Sequence, residues 1–162
     1  MTAADPRTRR SRHFDSLEQD AFLSLWRTYD RLRIEEDRLF GGYDLTPQQY
    51  NALRVLRAER SETLPTLVLA ERLVSRAPDI TRLVDKLVDR GLAARERSDD
   101  NRRVVRVRIT DAGRALLDEL AANVRACHAR QLGHLSREQL TALIGLLREA
   151  RRPHESEDST WR

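Results

Sequence analysis

The sequence has 162 residues, of which 40% are hydrophobic and 35% are charged, and its formal net charge is +4. This length suits one domain with helical extensions, and no stretch approaches the ~18 consecutive apolar residues of a membrane span. Residues 1–13 lack the apolar segment of a secretory signal, and the single cysteine, Cys127, excludes an intramolecular disulfide. The sequence therefore predicts a cytoplasmic protein.

The first half of the chain has the apolar spacing of helices. Leucine and aromatic residues recur at three- and four-residue steps from Phe14 to Leu39, so we predict a long helix that stops at the following glycine pair. Thr46-Pro47-Gln48-Gln49 has the composition of a capping box and opens a second helix, predicted to end near Arg60. A compact apolar helix, Leu67 to Leu73, follows, with Thr66 as its expected N-cap.

The next segment changes from helical to strand periodicity. A helix with Pro78 in its first turn runs to Asp89 or Arg90 and stops at Gly91. Val105, Val107 and Ile109 then alternate with arginines, which is typical of a half-buried strand. Residues 92–97 can pair with that strand across turn-forming residues 98–101, so we predict a two-stranded hairpin.

Two helices complete the predicted fold. Thr110 caps the first of them, which extends to about Gln131, and Ser136 with Gln139 forms a capping box for the second. Together the elements predict a mainly α fold with a small β-hairpin wing, in which long N- and C-terminal helices flank a winged helix-turn-helix.

Basic residues are concentrated in the hairpin. From Arg90 to Arg108 there are seven arginines and three acidic residues, a local charge of +4 that equals the net charge of the whole chain. Arginine presents a planar fork of donors that can grip a phosphate or a guanine edge at two points. A second basic run lies near the N-terminus, at Arg7, Arg9, Arg10 and Arg12.

The helix before the hairpin has two faces. At about 100° per residue, Ile80, Leu83, Val84 and Leu87 point inward, whereas Thr81 and Arg82 point outward. A recognition helix inserts such an outer face into the DNA major groove. Arg82 is the candidate for a base or phosphate contact, Thr81 for a thymine methyl or a phosphate, and Asp79 for a cytosine amine or for orienting Arg82 or Arg76. The predicted DNA-binding residues are Arg76, Pro78, Asp79, Thr81, Arg82, Lys86, Arg95, Arg97, Asn101, Arg102 and Arg103.

Three stretches, Leu69–Leu73, Asp79–Leu87 and Arg90-Gly91-Leu92, resemble the MarR (multiple antibiotic resistance regulator) family. Asn101-Arg102-Arg103, followed after five residues by Ile109-Thr110 and then Gly113, is similar to the family's Asp-x-Arg, Leu-Thr, Gly signature. The resemblance covers roughly residues 14 to 150. It implies an obligate homodimer that presents two winged helices to a pseudo-palindromic operator. It also implies that Arg103 enters the minor groove, with Asn101, Asp99 or Asp100 in place of the family's orienting aspartate.

With this resemblance, five segments are predicted: a flexible basic tail (1–13), an N-terminal dimerisation helix and loop (14–45), a winged helix-turn-helix domain (46–110), C-terminal dimerisation helices (111–150) and a flexible tail (151–162). Phe14, Phe22 and Trp26 add more apolar surface than one short winged helix can cover, which favours a dimer. The predicted function is a repressor that binds double-stranded DNA and responds to a ligand.

The resemblance also favours a small aromatic or phenolic acid as effector, in a pocket lined by Trp26, Tyr29, Arg33, Tyr43 and Tyr50. The alternative interpretation is that these aromatics are core residues and Arg33 is a surface charge. Alternative functions are an architectural DNA-binding protein without operator preference, an adapter that has lost DNA binding, and a redox-responsive regulator using Cys127. No phosphate loop, nucleophile elbow or zinc-ligand spacing occurs, so the sequence predicts neither an enzyme, nor a cofactor, nor a metal site.

Overall fold

A computed structural model of the protein describes residues 14–75, 79–97, 104–157, 159 and 161. The chain divides into two compact units, Met1–Ile34 and Glu35–Arg162, which are described in turn. In the described residues, no helix combines the length and the apolar character needed to cross a bilayer. The elements, in chain order, are α1 Leu17–Gly41, α2 Pro47–Ala58, β1 Leu64–Pro65, α3 Thr66–Arg72, α4 Ile80–Asp89, β2 Ala93–Arg97, β3 Val105–Ile109, α5 Asp111–Leu132, α6 Arg137–Arg151 and a 3₁₀ turn Arg152–His154.

The described part of the first unit consists of most of helix α1. Its large apolar side chains are exposed, with 61% of Phe22 and 62% of Trp26 accessible to solvent. The two rings pack against each other along the helix, their centroids 6.2 Å apart. An apolar stripe of this kind stabilises a helix only when something covers it.

In the second unit, α2 begins as the sequence predicts. Thr46 is its N-cap, the Thr46 hydroxyl accepts a hydrogen bond from the Gln49 amide, and the Gln49 side chain completes the capping box. The helix ends at Ala58, two residues before the predicted Arg60, because Glu59 adopts an extended backbone.

Helix α3 does not have the N-cap that the sequence predicts. Its N-cap is Pro65, without any side-chain hydrogen bond, so the expected capping role of Thr66 is wrong. The Thr66 hydroxyl instead donates to the carbonyl of Val105 in β3, at 3.0 Å. Because the Thr66 hydroxyl is directed towards β3, it does not accept a hydrogen bond from the amides in the first turn of α3.

The sheet contains three antiparallel strands in the order β1-β3-β2, one more than the predicted hairpin. β1 pairs Leu64 with Val107, and β2 pairs Ala93 with Ile109. Val107 and Ile109 are buried as their alternation predicts, but Val105 is 38% exposed. We call β2 and β3 together the wing; the predicted turn at residues 98–101 lies outside the described residues.

The core of the second unit joins α2, α3, α4, α5 and the sheet. Its fully buried side chains include Leu53, Leu56, Leu69, Val84, Leu87, Val107, Leu117 and Leu120. Thr110 caps α5, and Ser136 with Gln139 forms the predicted capping box of α6. No residue of α6 is buried. Within the predicted flexible tail, Arg152–His154 forms a 3₁₀ turn.

Candidate nucleic-acid interface

Helix α4 presents one polar and one apolar face, as its sequence predicts. Leu83, Val84 and Leu87 are buried in the core, whereas Thr81 and Arg82 are exposed. The inward leucine and valine side chains fix the rotation of the helix about its axis. Lys86 is also exposed, and Ile80 is half-buried. The helix begins at Ile80, later than the sequence predicts by placing Pro78 in the first turn.

Asp79 is the N-cap of this helix. Its carboxylate accepts a hydrogen bond from the main-chain amide of Arg82, at 2.8 Å. Aspartate is favoured here because it satisfies an orphan amide and its negative charge complements the positive end of the helix dipole. The structure thus gives Asp79 a local role at the point where a recognition helix would meet DNA. Its predicted base contact stays a prediction.

Arg95 of the wing is held by helix α4. Its guanidinium forms an ion pair with Asp85 and donates a second hydrogen bond to the carbonyl of Thr81, at 3.1 Å. One arginine therefore ties β2 to the recognition helix at two points. Sequence reasoning listed Arg95 as a DNA contact and did not see this role, since Asp85 and Arg95 lie on different elements.

Two further arginines of the wing have partners inside the protein. Arg108 pairs with Glu96 across the two strands of the wing. Arg106 donates to the hydroxyl of Thr63 at 2.7 Å and to its carbonyl at 3.1 Å. The Arg108–Glu96 pair joins the two strands of the wing, and the Arg106 bonds fix the wing to the segment before β1.

Several predicted contacts cannot be placed. Arg76, Pro78, Asn101, Arg102 and Arg103 lie outside the described residues, as does the basic tail at residues 1–13. Arg97 belongs to β2, but its side chain is likewise not described. Their roles stay as predictions.

Helix α3 is braced against the end of α2. The Glu59 carboxylate accepts a hydrogen bond from Arg72 at 2.6 Å and others from the amide and hydroxyl of Ser61. The main-chain amide of Ser61, then its hydroxyl, then Arg72 lower the pKa of Glu59 to about 2. The brace holds the first helix of the helix-turn-helix in place.

The opposite end of α4 has its own supports. Gly91 adopts a φ of 67° and ends the helix as predicted. The Arg90 side chain donates to the main-chain carbonyls of Tyr43 and Asp44, in the loop between α1 and α2. Thr110 donates its hydroxyl to the carbonyl of Gly91 at 2.6 Å while it caps α5. Sequence reasoning missed the Arg90 contacts; a basic residue beside a helix-ending glycine was the available signal.

The side chains of the predicted effector pocket differ in their surroundings. In the first unit, Trp26, Tyr29 and Arg33 are exposed. In the second unit, the Tyr50 ring stacks on Phe40 with centroids 4.5 Å apart. The Tyr43 hydroxyl accepts a hydrogen bond from Asn123 of α5, at 2.8 Å. Tyr43 and Tyr50 therefore have structural partners of their own.

A cavity that the sequence did not indicate lies between α3, the start of α4 and the wing. Its volume is about 880 Å³, and Leu67, Ile80 and Val105 are among its lining residues, with Arg95 and Glu96 at the wing side. Leu67 is 74% exposed, so the cavity opens on apolar surface. This arrangement explains why Val105 is not buried.

Cys127 lies in the interior on α5, with a side chain inaccessible to solvent. Burial raises the pKa of its thiol, which disfavours the thiolate needed for redox chemistry. In residues 14–75, 79–97 and 104–157, no three His, Cys, Asp or Glu side chains are placed to hold a metal ion.

Comparison with known proteins gives consistent matches. The family model of the MarR family matches residues 43–104 of this chain. The HTH-type transcriptional repressor MdtR of Bacillus subtilis is 29% identical over 126 residues, which are 78% of this chain and 80% of MdtR. A MarR transcription factor from Planctomyces limnophilus is 54% identical, with a TM-score of 0.67, over 83% of this chain and 98% of that one. BpsR of Bordetella bronchiseptica, whose DNA binding is regulated by 6-hydroxynicotinic acid, has a TM-score of 0.75 at 22% identity, over 85% of this chain and 97% of BpsR.

Proposed function

The chain belongs to the MarR family of transcriptional regulators, and from that premise we propose that it is a repressor that binds a pseudo-palindromic operator as a homodimer and leaves it when an effector binds. The winged-helix fold and its place among DNA-binding regulators are common to the family. Operator specificity, the dimer and the effector are the parts that we propose for this chain. MdtR, at 29% identity, is a repressor, which supports repression as the mode of action.

The observation that carries the proposal is the exposed start of α4. Thr81 and Arg82 are open to solvent on a helix whose other face is buried, so their side chains can reach a groove floor. A major groove is wide enough for one helix, and a guanidinium can bond a guanine edge at two positions. We assign base or phosphate contact to Arg82, a thymine methyl or phosphate to Thr81, and phosphate to Lys86. Arg76, Arg97, Arg102 and Arg103 are proposed as further contacts.

The proposed dimer is supported by apolar surface at both ends of the chain. Phe22 and Trp26 are exposed on α1, and Ile144 and Leu146 are 50% and 70% exposed on α6. A helix of 15 residues with no buried side chain gains too little from propensity alone to stay folded in water. A second copy that covers these faces supplies the missing burial. We therefore propose segments 14–45 and 111–150 as the dimerisation regions and 46–110 as the DNA-binding domain.

Two copies fix the spacing of the recognition helices. To enter successive major grooves on one side of DNA, they must lie about 34 Å apart. We propose that an effector favours a dimer with a different spacing. A coupling of about 1–3 kcal/mol between effector and operator is enough to change occupancy about 5- to 150-fold.

For the effector we propose a small aromatic or phenolic acid. The cation Arg33 and the exposed rings of Trp26 and Tyr29 supply the groups that such a ligand needs: a charge for its carboxylate and flat apolar surface for its ring. DNA binding by BpsR is regulated by an acid of this class. The likeness to BpsR is one of fold, so this chain's own residues carry the effector proposal.

The test begins with selection of bound fragments from random DNA, which reports the operator and the half-site spacing together. Arg82→Ala should weaken operator binding by about 1–3 kcal/mol and relax preference at one position. Arg103→Ala should weaken binding at A·T-rich flanks and reduce the salt dependence of the affinity. Arg60→Ala is the matched control, because Arg60 is exposed and lies outside both the proposed DNA contacts and the proposed dimerisation regions.

Four outcomes would reject parts of this proposal. Selection without a consensus would indicate an architectural protein. If Arg82→Ala and Arg103→Ala both bind the operator with wild-type affinity across a salt titration, the proposed DNA contacts of these two arginines are wrong. If the protein sediments as a monomer at micromolar concentration, the proposed homodimer is wrong. A DNA affinity that falls on peroxide treatment, and does not fall in Cys127→Ser, would favour the redox alternative.

A further inference from the structure

The C-terminal end of α4 is attached to the loop between α1 and α2 through a single side chain. Both terminal nitrogens of the Arg90 guanidinium donate to main-chain carbonyls, one to Asp44 and the other to Tyr43, the latter at 3.0 Å. These carbonyls belong to the α1–α2 loop, residues 42–46. Tyr43 in turn accepts a hydrogen bond from Asn123 of α5. The recognition helix is thereby connected to the loop and, through the tyrosine hydroxyl, to α5.

The loop that receives these bonds is itself well fixed. The amides of Tyr43 and Leu45 both donate to the carbonyl of Phe40, at 3.0 Å, and the amide of Asp44 donates to Gly41. Asp44 adopts a φ of 51°, and Leu45 and Phe40 are buried. A non-glycine residue in the left-handed region persists only where its surroundings hold it there. The Arg90 guanidinium is part of those surroundings.

The chemistry at this position is specific for arginine. A planar guanidinium can serve two carbonyls at once with its geometry already set, whereas an ammonium is a point charge on a flexible stem. The positive charge also lies beside the C-terminal ends of α1 and α4, where the helix dipoles favour a cation. A lysine at position 90 would keep the charge and lose the two-carbonyl fork.

Distance along the helix explains how this contact can act on DNA. Arg82 precedes Arg90 by eight residues, which is about 12 Å along the helix axis. A tilt of about 10° at the fixed end moves a side chain at Arg82 by about 2 Å, enough to break a hydrogen bond whose normal length is about 2.9 Å. A change in the angle of α4 at the Arg90 end is therefore large enough to disturb a contact at the groove, even though Arg95 also holds the other half of the helix.

We propose that Arg90 is a positioning residue for DNA recognition: it fixes the tilt of α4 against the α1–α2 loop and, through Tyr43 and Asn123, makes that tilt depend on the position of α5. The inference rests on the proposed function only in that operator affinity is one of its readouts. In a dimer in which α5 takes part in the interface, this connection transmits a change of interface geometry to the recognition helix. Arg90 itself contacts no DNA in this scheme.

The decisive variants are Arg90→Ala, Arg90→Lys and Tyr43→Phe, with Arg60→Ala as control. Arg90→Ala should weaken operator binding at least about fivefold while the slope of log affinity against log salt stays at the wild-type value. A residue that contacts phosphate would instead reduce that slope by about 0.9 for each protomer of the dimer. Arg90→Lys should lie between wild type and Arg90→Ala. Tyr43→Phe combined with Arg90→Ala should be no worse than Arg90→Ala alone, because both act through one connection.

Hydrogen exchange measures the same connection without DNA. In Arg90→Ala the amides of the α1–α2 loop and of the last turn of α4 should exchange faster, whereas those of α6 should not change. If Arg90→Ala does not fold, Arg90→Lys and Tyr43→Phe are measured in the same way. Wild-type exchange and affinity in the folded variants would overturn the proposal, as would a reduced salt slope or independent effects of positions 43 and 90.

The two proposals fail in different ways. If the wild-type protein selects no DNA, the proposed function is wrong, and exchange alone decides whether Arg90 fixes α4 to the loop. If the wild-type protein binds an operator and Arg90→Ala binds it equally well, only the positioning role is lost.

Discussion

Gly113, in the first turn of α5, is the position where an added methyl group would disturb the winged helix most directly. A Cβ built on Gly113 would lie 2.3 Å from the carbonyl oxygen of Leu92 and 2.8 Å from Cγ1 of Ile109. Ordinary carbon–oxygen contacts begin near about 3.3 Å. The carbonyl is main chain and already accepts a hydrogen bond from the Thr110 amide, at 3.1 Å, and Ile109 is buried, so neither neighbour can turn aside.

The expected cost follows from three contributions. Inserting a methyl group into a packed site costs about 1–3 kcal/mol. Weakening the Thr110–Leu92 hydrogen bond adds about 0.5–1.5 kcal/mol to this loss of stability. The higher helix propensity of alanine offsets up to about 1 kcal/mol of it. Gly113→Ala should therefore lose about 2 kcal/mol of unfolding free energy. For a chain of this length, that corresponds to a fall in Tm of about 4–8 °C.

Thermal unfolding at one fixed protein concentration tests this value, since assembly makes Tm depend on concentration. Gly41→Ala is the control, because a Cβ at Gly41 would meet no atom within 4 Å. The strained contacts lie at the junction of β3 and α5, next to the wing. A shift of the wing should therefore also lower the operator affinity of Gly113→Ala. Equal melting temperatures for Gly113→Ala and Gly41→Ala would refute the reasoning.

Substitutions at two further positions, Asp79 and Glu59, separate charge from hydrogen bonding. Asp79→Asn keeps an N-cap and removes a negative charge from the start of α4, so it should raise DNA affinity and lose only the dipole contribution, about 0.3–1 kcal/mol. Asp79→Ala loses the cap as well and should be the less stable of the two, by up to about 2 kcal/mol relative to wild type; equal melting of the two variants would contradict the capping role. Because the pKa of Glu59 is lowered from 4.5 to about 2, its stabilisation is present above pH 4.5 and lost as the pH falls towards 2. Glu59→Gln should flatten acid unfolding across that window, and an unchanged acid profile would contradict it.

Features set by neighbouring residues were predictable from the sequence. The capping boxes at Thr46 and Ser136 each involve two residues three positions apart, and Gly91 ends α4 through its own backbone conformation. The buried face of α4 also follows from local periodicity. In each case the chemical reason for the structure lies within one or two helical turns of chain.

Features set by distant partners were not predictable in this way. Thr66 has the composition of a cap, but its hydroxyl bonds a carbonyl 39 residues later. Strand β1 has only two residues, too few for any period, and is defined by pairing Leu64 with Val107. The ion pair between Arg95 and Asp85 likewise joins two elements whose approach depends on the tertiary fold. Sequence patterns indicate the local preference for helix, strand or turn, whereas these contacts depend on which elements the tertiary fold brings together.

The same distinction changes how the arginine-rich hairpin should be understood. Of the seven arginines between Arg90 and Arg108, four donate to acceptors within the protein: Arg90, Arg95, Arg106 and Arg108. An arginine already paired with a carboxylate brings little net charge to a phosphate, and one that is bonded to main-chain carbonyls is turned towards them. The proposed phosphate contacts of this segment are thus Arg97, Arg102 and Arg103. At about 0.9 per phosphate neutralised, the segment's share of the salt slope is bounded by three contacts per protomer rather than seven. Among the arginines of this segment whose side chains the structure describes, each therefore holds the wing or α4 in place within the protein.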